Sequence, residues 1–250
     1  MNGQAPCGNA LREREILRYA GCRTEEEELV RLMRTCLLEA EEAEALNGQL
    51  CYTELPVTMR EVSSGQELWG ATLPSVNGMI CNFDSFFVNS EQLAKNLQGC
   101  NKVLLLAATA GVGMDRLIGK YGRLAPSKAL MFQAIGAELI EAVCDAFCEE
   151  YEKEHNCSLR PRFSPGYPDL SLEVQKDIFS VLQPARRIGL TLNDSLLMSP
   201  SKSVTAFAGI TDCDEKSGTQ GLSGYEKDEV RNKCGSCKKK DCVYREECEG

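Results

Sequence analysis

The stretch Lys102-Val103-Leu104-Leu105-Leu106-Ala107-Ala108-Thr109 is the most continuous apolar run in the chain. A run of this kind is typical of a strand that is buried on both faces of a central sheet. Segments broken by glycine and proline occupy 51–58 and 67–83, and amphipathic helices are predicted at 24–47 and 126–154. Because these strands and helices do not alternate as regular βαβ units, the sequence predicts an α+β fold.

The size, net charge and hydrophobicity of the chain indicate its domain size and exclude some classes of binding protein. The chain has 250 residues, of which 43% are hydrophobic, so one sizeable domain of residues 1–211 is expected. It carries 28 basic and 37 acidic residues, a net charge of −9, which excludes a broad nucleic-acid-binding face. No apolar run approaches the roughly 20 residues that span a bilayer, and residues 1–7 do not resemble a signal peptide. We therefore expect a cytoplasmic protein that does not bind membranes.

Cysteine is unusually frequent, with 14 residues in the chain. Without an export signal, a framework of disulfides is not expected. Ten of the cysteines are scattered through helix and strand patterns, and we predict that residues such as Cys22, Cys36, Cys81 and Cys144 are small buried hydrophobes.

The other four thiols lie close together at the C-terminus, after a change in composition. Residues 212–233, rich in glycine, serine and charge, predict a linker or long loop, and residues 234–250 form a cysteine-rich tail. The predicted metal ligands are Cys234, Cys237, Cys242 and Cys248, with Cys213 as the alternative to Cys248. Because His155 is the only histidine, the sequence predicts either zinc or an iron-sulfur cluster. A nucleic-acid-binding tail around Lys238–Lys240 is the weaker alternative, since the net charge opposes it.

Two loops contain candidate binding residues. Gly111-Val112-Gly113 follows the central strand but lacks the remaining residues of a phosphate-binding loop, so turn geometry explains it better. The loop Arg162-Phe163-Ser164-Pro165-Gly166-Tyr167-Pro168 offers a planar guanidinium for a carboxylate and a glycine that lets a ligand approach the backbone. It precedes a predicted amphipathic helix, 169–182, with Leu172 facing inward. Similar residues occur in ordinary surface turns.

Two motifs in this region carry a resemblance to a known family. They are Arg162-x-x-x-Gly166-Tyr167 and, after Ile188–Ser195, Pro200-x-x-Ser203-Val204. In both motifs the chain resembles the reactivation domain of cobalamin-dependent methionine synthase, in a free-standing form, and a looser likeness covers 80–210. The resemblance implies a twisted, largely antiparallel sheet with packed helices.

The resemblance also implies a function and a set of site residues. The function is binding of S-adenosylmethionine and support of reductive methylation of cob(II)alamin that a separate corrinoid protein holds, either methionine synthase or another methyltransferase. By resemblance, Arg162 contacts the methionine end, Gly166 makes room for the ligand, and Ser164 and Pro165 line the loop. Catalytic roles fall on Tyr167, which reaches toward the corrin, and on Glu141, an acid near the site.

The chain departs from the family at two places. The family's aspartate that contacts the ligand's amine has no clear equivalent, and Asp84 is the nearest candidate. Residues 205–209 replace bulky aromatic residues, which leaves the adenine contacts unassigned.

The remaining predictions concern partners. No flavin or nicotinamide motif is present, so flavodoxin or ferredoxin, or the tail if it holds an iron-sulfur cluster, is expected to supply the electron. The cobalamin is expected to belong to the partner, which makes the chain an accessory component of methyl transfer. The alternative is a non-catalytic docking or sensory module that binds S-adenosylmethionine or a corrinoid protein.

Overall fold

A computed structural model describes residues 2–3, 11–22, 26–62, 67–68, 71–72, 78–166 and 169–212. Its helices are α1 Glu13–Tyr19, α2 Glu27–Glu42, α3 Glu91–Asn96, α4 Val112–Leu124, α5 Pro126–His155, α6 Val174–Leu182 and α7 Pro184–Ile188. Its strands are β1 Asn2–Gly3, β2 Gln49–Pro56, β3 Thr58–Val62, β4 Glu67–Leu68, β5 Ala71–Thr72, β6 Gly78–Asn82, β7 Phe87–Asn89, β8 Lys102–Thr109, β9 Cys157–Leu159, β10 Thr191–Leu192, β11 Met198–Ser199 and β12 Ser203–Asp212.

The predicted buried strand is the centre of the main sheet. This sheet has five strands in the order β1-β2-β8-β12-β9, and every neighbouring pair is antiparallel. Thr109 of β8 pairs with Gln49 of β2 on one side and with Ser203 of β12 on the other. Since Val103 to Thr109 are all buried, other elements cover both faces of β8.

Two core clusters cover these two faces. Leu104, Leu106 and Ala108 point into the first core cluster, which α1, α2, α4 and α5 complete. Val103, Leu105 and Ala107 point into the second core cluster, together with α3, α6, α7 and the antiparallel sheet β3-β6-β7. The alternation follows from the two-residue period of a strand. The architecture is therefore mixed α+β with antiparallel sheets and packed helices, as predicted.

Helix α5 is the longest element and crosses the sheet within the first core cluster. Pro126 occupies its first turn, where a missing N–H costs nothing, and Asn156 ends it in the left-handed conformation at φ 48°. At Gly136, an added Cβ would lie 2.9 Å from both Lys202 Cγ and Met114 Cγ. The close packing of α4 and of the start of β12 on α5 thus depends on this glycine.

Two helices differ from their predicted bounds. The helix predicted at 24–47 spans only Glu27–Glu42. The segment 169–182 becomes helical only at Val174, because residues 169–173 form turns. Leu172 consequently lies outside the helix and is 45% exposed, so its predicted inward position is wrong. It lies against the loop instead, since a Cβ at Gly166 would be 3.2 Å from Leu172 Cδ2.

Six of the eight scattered cysteines that the structure describes are buried, as predicted, whereas Cys22 and Cys148 are only partly buried. All cysteines in the described ranges are free thiols, with Cys36, Cys81 and Cys144 buried and Cys22 partly buried. Burial raises the pKa of Cys36 to about 11 and the pKa values of Cys81 and Cys144 to about 12. These thiols stay protonated at neutral pH and serve as packing residues.

Two further observations concern the glycines of the phosphate-loop pattern and the length of the apolar helices. At Gly113, an added Cβ would lie 3.1 Å from Ala45 Cα, so packing explains the absence of a side chain. Within the part of the chain that the structure describes, no helix is both long and apolar enough to cross a membrane.

A charged cluster fastens α2 to α4 and α5. Glu39 accepts hydrogen bonds from the Tyr121 hydroxyl, from Lys120 Nζ at 3.0 Å and from Lys128 Nζ at 3.1 Å. The Tyr121 bond first, and then the two lysines, lower the pKa of Glu39 to about 2 from about 4.5. Since the folded state favours the carboxylate, this stabilisation is present above pH 4.5 and is lost as the pH falls toward 2.

We therefore expect Glu39→Gln to remove a pH-dependent part of the stability. At pH 7 the variant should melt about 2–4 °C below the wild type, for a contribution on the order of 1 kcal/mol. The two melting temperatures should converge as the pH falls from 4.5 toward 2. Calorimetry across this range measures the difference, and a difference that is constant with pH contradicts the assignment.

Candidate functional site

The loop of the first motif continues the edge of the main sheet beyond β9. Arg160 donates its backbone N–H to Gly209 O at 2.8 Å, and Phe163 exchanges two backbone hydrogen bonds with Phe207 of β12, at 2.8 and 2.9 Å. Because side chains alternate along extended backbone, Phe163 points to the second core cluster and Arg162 points the other way, toward α5.

An aromatic stack supports the loop from the second core cluster. The Phe207 ring stacks on Phe83 with centroids 5.1 Å apart and lies 6.3 Å from the Phe86 ring. Phe83 and Phe86 belong to the turn between β6 and β7, which also carries Asp84 in the left-handed conformation at φ 62°. Asp84 is exposed, and its backbone N–H donates to Asn82 Oδ1 at 2.9 Å.

Arg162 is held by two carboxylates of α5. One terminal nitrogen donates to Glu141 Oε2 at 2.7 Å, and the other donates to Asp145 Oδ1 at 2.7 Å and lies 3.9 Å from Cys148 Sγ. The Arg162 side chain is 22% exposed, whereas Glu141 and Asp145 are 44% and 40% exposed. A guanidinium has five N–H donors, so this arrangement fixes its orientation and leaves donors for a ligand.

The surroundings keep Arg162 charged. Burial works to lower the pKa of Arg162, but the adjacent carboxylates of Asp145 and Glu141 raise it above its ordinary value. Burial raises the pKa of Cys148, so this neighbour remains a neutral thiol at pH 7. The site therefore presents one cation beside two partly exposed anions.

A second guanidinium meets the same row of acids. Glu138, Glu141 and Asp145 follow one another at intervals of three and four residues and so share a face of α5. Arg12, just before α1, donates its Nε to Glu138 Oε1 at 2.7 Å, and its terminal nitrogen lies 3.6 Å from Asp145 Oδ2. No pattern in the sequence connects two residues 126 positions apart, and sequence reasoning missed this pair.

Beside Arg162 the surface forms an open cleft of about 200 Å³. It is lined by Asp145, Cys148, Glu149, Glu152, Leu159, Arg160, Pro161 and Arg162. Its acids come from a single face of α5, and Glu152 also accepts the Leu159 N–H at 2.7 Å. The cleft therefore combines three carboxylates of α5 with the guanidiniums of Arg160 and Arg162, which suits a ligand that carries both charges.

The far end of the loop is fastened to α3. Asp169 accepts a hydrogen bond from Ser90 Oγ at 2.9 Å and another from the Gln92 N–H at 2.8 Å. Ser90 Oγ in turn accepts the Leu93 N–H, so both side chains cap the start of α3. The motif loop is thus anchored on α5 by Arg162 and on α3 by Asp169, and the second anchor was not predicted.

The structure brings most of the predicted site residues together. Arg162, Ser164, Pro165 and Gly166 occupy this one loop, and Glu141 contacts Arg162 directly. Gly166 needs its glycine, because its φ is 99° and its N–H closes a turn onto Leu170 O at 2.9 Å. Tyr167 lies outside the described residues.

The second motif lies elsewhere on the sheet. Ser201 donates its N–H and its hydroxyl to Asp115 of α4, at 2.8 and 2.6 Å. Ser203 Oγ lies 2.7 Å from Pro200 O and 2.8 Å from Thr109 Oγ1. These bonds fix the start of β12, four residues before Phe207, and so set the position of the strand that pairs with the Arg162 loop.

The predicted metal ligands of the tail cannot be placed in the fold. Cys213, Cys234, Cys237, Cys242 and Cys248 all lie outside the described residues. Among the residues that the structure does describe, no group of three or more histidine, cysteine, aspartate or glutamate side chains could hold a metal ion.

Comparison with known proteins agrees with the fold. Residues 85–231 match the model of the vitamin B12 dependent methionine synthase activation domain. The structure is similar to that of a MetH reactivation domain bound to AdoHcy, with a TM-score of 0.51 and 17% identity. That similarity covers 73% of this chain and 64% of the other. No curated protein sequence matches the chain significantly. Since the match to the family spans more than half of its residues, the chain belongs to the vitamin B12 dependent methionine synthase activation domain family.

Proposed function

We propose that this protein binds S-adenosylmethionine at the Arg162 loop and presents its methyl group to cob(II)alamin on a separate corrinoid protein, in the reactivation of methionine synthase. The observation that carries the proposal is the fixed guanidinium of Arg162, which Glu141 and Asp145 hold at 2.7 Å beside the motif loop. The family match and the AdoHcy bound to the similar MetH domain support it, because AdoHcy is S-adenosylmethionine without its methyl group.

The charges of the site complement the methionine end of this ligand. The ligand's carboxylate would accept hydrogen bonds from the remaining donors of Arg162. Its ammonium group and its sulfonium would lie toward Glu141 and Asp145, whose side chains are exposed enough to accept a further partner. Gly166 lets the ligand approach the backbone, and Ser164 and Pro165 would line the loop.

The residues of this chain would supply binding, orientation and exclusion of water. Transfer of the methyl group from S-adenosylmethionine to cob(II)alamin consumes one electron and gives methylcobalamin and S-adenosylhomocysteine, and the partner's cobalamin supplies this chemistry. Flavodoxin or ferredoxin would deliver the electron. Glu141 would orient the sulfonium, and Tyr167 would face the corrin, so most of the rate enhancement comes from proximity.

A direct test measures the products. The whole chain is incubated without oxygen with methyl-labelled S-adenosylmethionine, a one-electron reductant and cob(II)alamin methionine synthase from which its own reactivation domain has been removed. We expect methylcobalamin and S-adenosylhomocysteine in equal amounts, and neither product without the reductant. Binding of the ligand with no methyl transfer would contradict this function and favour a docking or sensory module.

The C-terminal cysteines form a separate proposal. Cys234, Cys237, Cys242 and Cys248, or Cys213 in place of Cys248, would bind zinc or an iron-sulfur cluster. Protein purified without oxygen should contain stoichiometric zinc, or iron with sulfide and visible absorption. The double variant Cys234→Ala, Cys237→Ala should lose the metal, and wild-type protein without zinc or iron contradicts the proposal.

A further inference from the structure

Arg12, in the N-terminal part of the chain, contacts the row of acids on α5 that holds Arg162. Arg12 precedes α1 and lies far upstream of residues 85–231, the part that matches the family. Its backbone N–H, its Nε and one terminal nitrogen all donate to the Glu138 carboxylate, at 3.3, 2.7 and 3.3 Å. The Glu138 side chain is 0% exposed, so its charge depends on this partner for compensation.

Arg12 also shares a carboxylate with Arg162. Asp145 Oδ1 accepts from Arg162 at 2.7 Å, while Asp145 Oδ2 lies 3.6 Å from a terminal nitrogen of Arg12. The contacts therefore form a chain in which acids and guanidiniums alternate, from Glu138 through Arg12, Asp145 and Arg162 to Glu141. Each guanidinium separates two carboxylates that would otherwise repel each other.

This alternation has a consequence for Arg162. With Arg12 in place, each carboxylate oxygen of Asp145 faces a guanidinium, Oδ1 that of Arg162 and Oδ2 that of Arg12, and this fixes the orientation of Asp145 toward Arg162. Without Arg12, Asp145 would lose one of its two cationic partners, and Arg162 would become the nearest cation for the whole row of acids. Arg162 would then be pulled along α5, away from the loop that ends in Gly166.

We infer that Arg12 is a positioning residue, which orients Asp145 and through it the Arg162 guanidinium for the ligand. The inference rests on the proposed function for the identity of the ligand. It means that a segment outside the family match completes the site.

A pair of variants separates positioning from stability. Arg12→Met leaves Glu138 as an uncompensated buried charge, so we expect both a lower melting temperature and weaker binding. In the double variant R12M/E138M an apolar pair replaces the ion pair, which is often neutral for stability. We expect the double variant to regain its melting temperature but still to bind S-adenosylmethionine at least about threefold more weakly than the wild type.

Arg34→Ala is the matched control. It removes the ion pair with Glu13, 3.0 Å long, which also holds α1 but does not touch the acids of α5. Binding by this variant should equal that of the wild type, as measured by titration calorimetry. Recovery of wild-type affinity in R12M/E138M would overturn the inference and leave Arg12 with a structural role only.

A second readout does not depend on the ligand. NMR detects the side-chain N–H protons of Arg162, whose signals are assigned because they are absent from the spectrum of Arg162→Lys. These protons should exchange with water faster in R12M/E138M than in the wild type. Exchange at the wild-type rate would overturn the inference even if S-adenosylmethionine does not bind. Absence of binding by the wild type, with faster exchange in the variant, would instead contradict the proposed ligand and support the positioning role.

Discussion

Replacing Arg162 with alanine is expected to weaken binding of S-adenosylmethionine by at least about 30-fold, while the protein stays folded. Loss of a charged partner that is largely withdrawn from water costs about 2–5 kcal/mol of binding free energy. The side chain is only 22% exposed and its pKa is raised, so it is a fixed and fully charged donor. Glu141 and Asp145 can be hydrated when it is removed, since each is at least 40% exposed, and the fold should persist.

Two further variants make this prediction specific. Arg162→Lys keeps the charge but cannot bridge Glu141, Asp145 and a carboxylate at once, so its affinity should lie between those of the wild type and the alanine variant. Arg186→Ala removes an exposed arginine from α7, and its affinity should not change. Calorimetric titration gives each affinity, and wild-type affinity in the alanine variant contradicts the position of the site.

Phe207→Ala is expected to lower the free energy of unfolding by about 3–5 kcal/mol, the cost of a large cavity in a packed core. Phe207 is fully buried, stacks on Phe83 at 5.1 Å and pairs through its backbone with Phe163. The alanine variant should also bind the ligand more weakly, because the ring supports the turn and the strand edge against which the Arg162 loop is built.

Phe207→Leu is the control for this change. Leucine retains most of the buried volume but not the stacking with Phe83, so its cost should be less than half that of alanine. Equilibrium unfolding in urea measures both variants. A loss of less than about 1 kcal/mol for Phe207→Ala would show that the aromatic stack is not a support of the fold.

The elements that were predicted best are those whose signal is local. The apolar run 102–109 became β8 with the same boundaries, and α5 begins at the predicted Pro126 and ends one residue after the predicted boundary. Helix α3 begins directly after its N-cap Ser90, whose hydroxyl accepts the Leu93 N–H at 2.9 Å. Burial on both faces, a helical period and a cap are all written in neighbouring residues.

The features that were missed depend on contacts between distant residues. The sequence pattern placed Leu172 in a helix, but the anchoring of Asp169 on α3 and the turn at Gly166 keep residues 169–173 out of it. The contact of Arg162 with Asp145, and that of Arg12 with Glu138, join separate parts of the chain through α5. The periodicity of apolar residues does not predict such ion pairs, because they depend on how the helices and loops pack in the folded chain.

The features of the candidate site also fall into those with a local sequence signal and those that depend on contacts between distant residues. The Arg162 motif could be read from the sequence, and the structure shows Glu141 in contact with it. The second motif, around Pro200 and Ser203, proves to fix the start of β12 rather than to meet Arg162. The acidic cleft along α5 could not be predicted, since Glu149 and Glu152 read as a solvated helix face until β9 and the loop pack beside them.

The most direct test is titration of the whole wild-type chain, purified without oxygen, with S-adenosylmethionine in a calorimeter. The titration is run alone and with cob(II)alamin methionine synthase that lacks its own reactivation domain. The account predicts saturable binding of one ligand per chain that Arg162→Ala loses, with S-adenosylhomocysteine competing for the same site. Absence of binding both alone and with the corrinoid protein, or equal binding by the wild type and the Arg162→Ala variant, would contradict it.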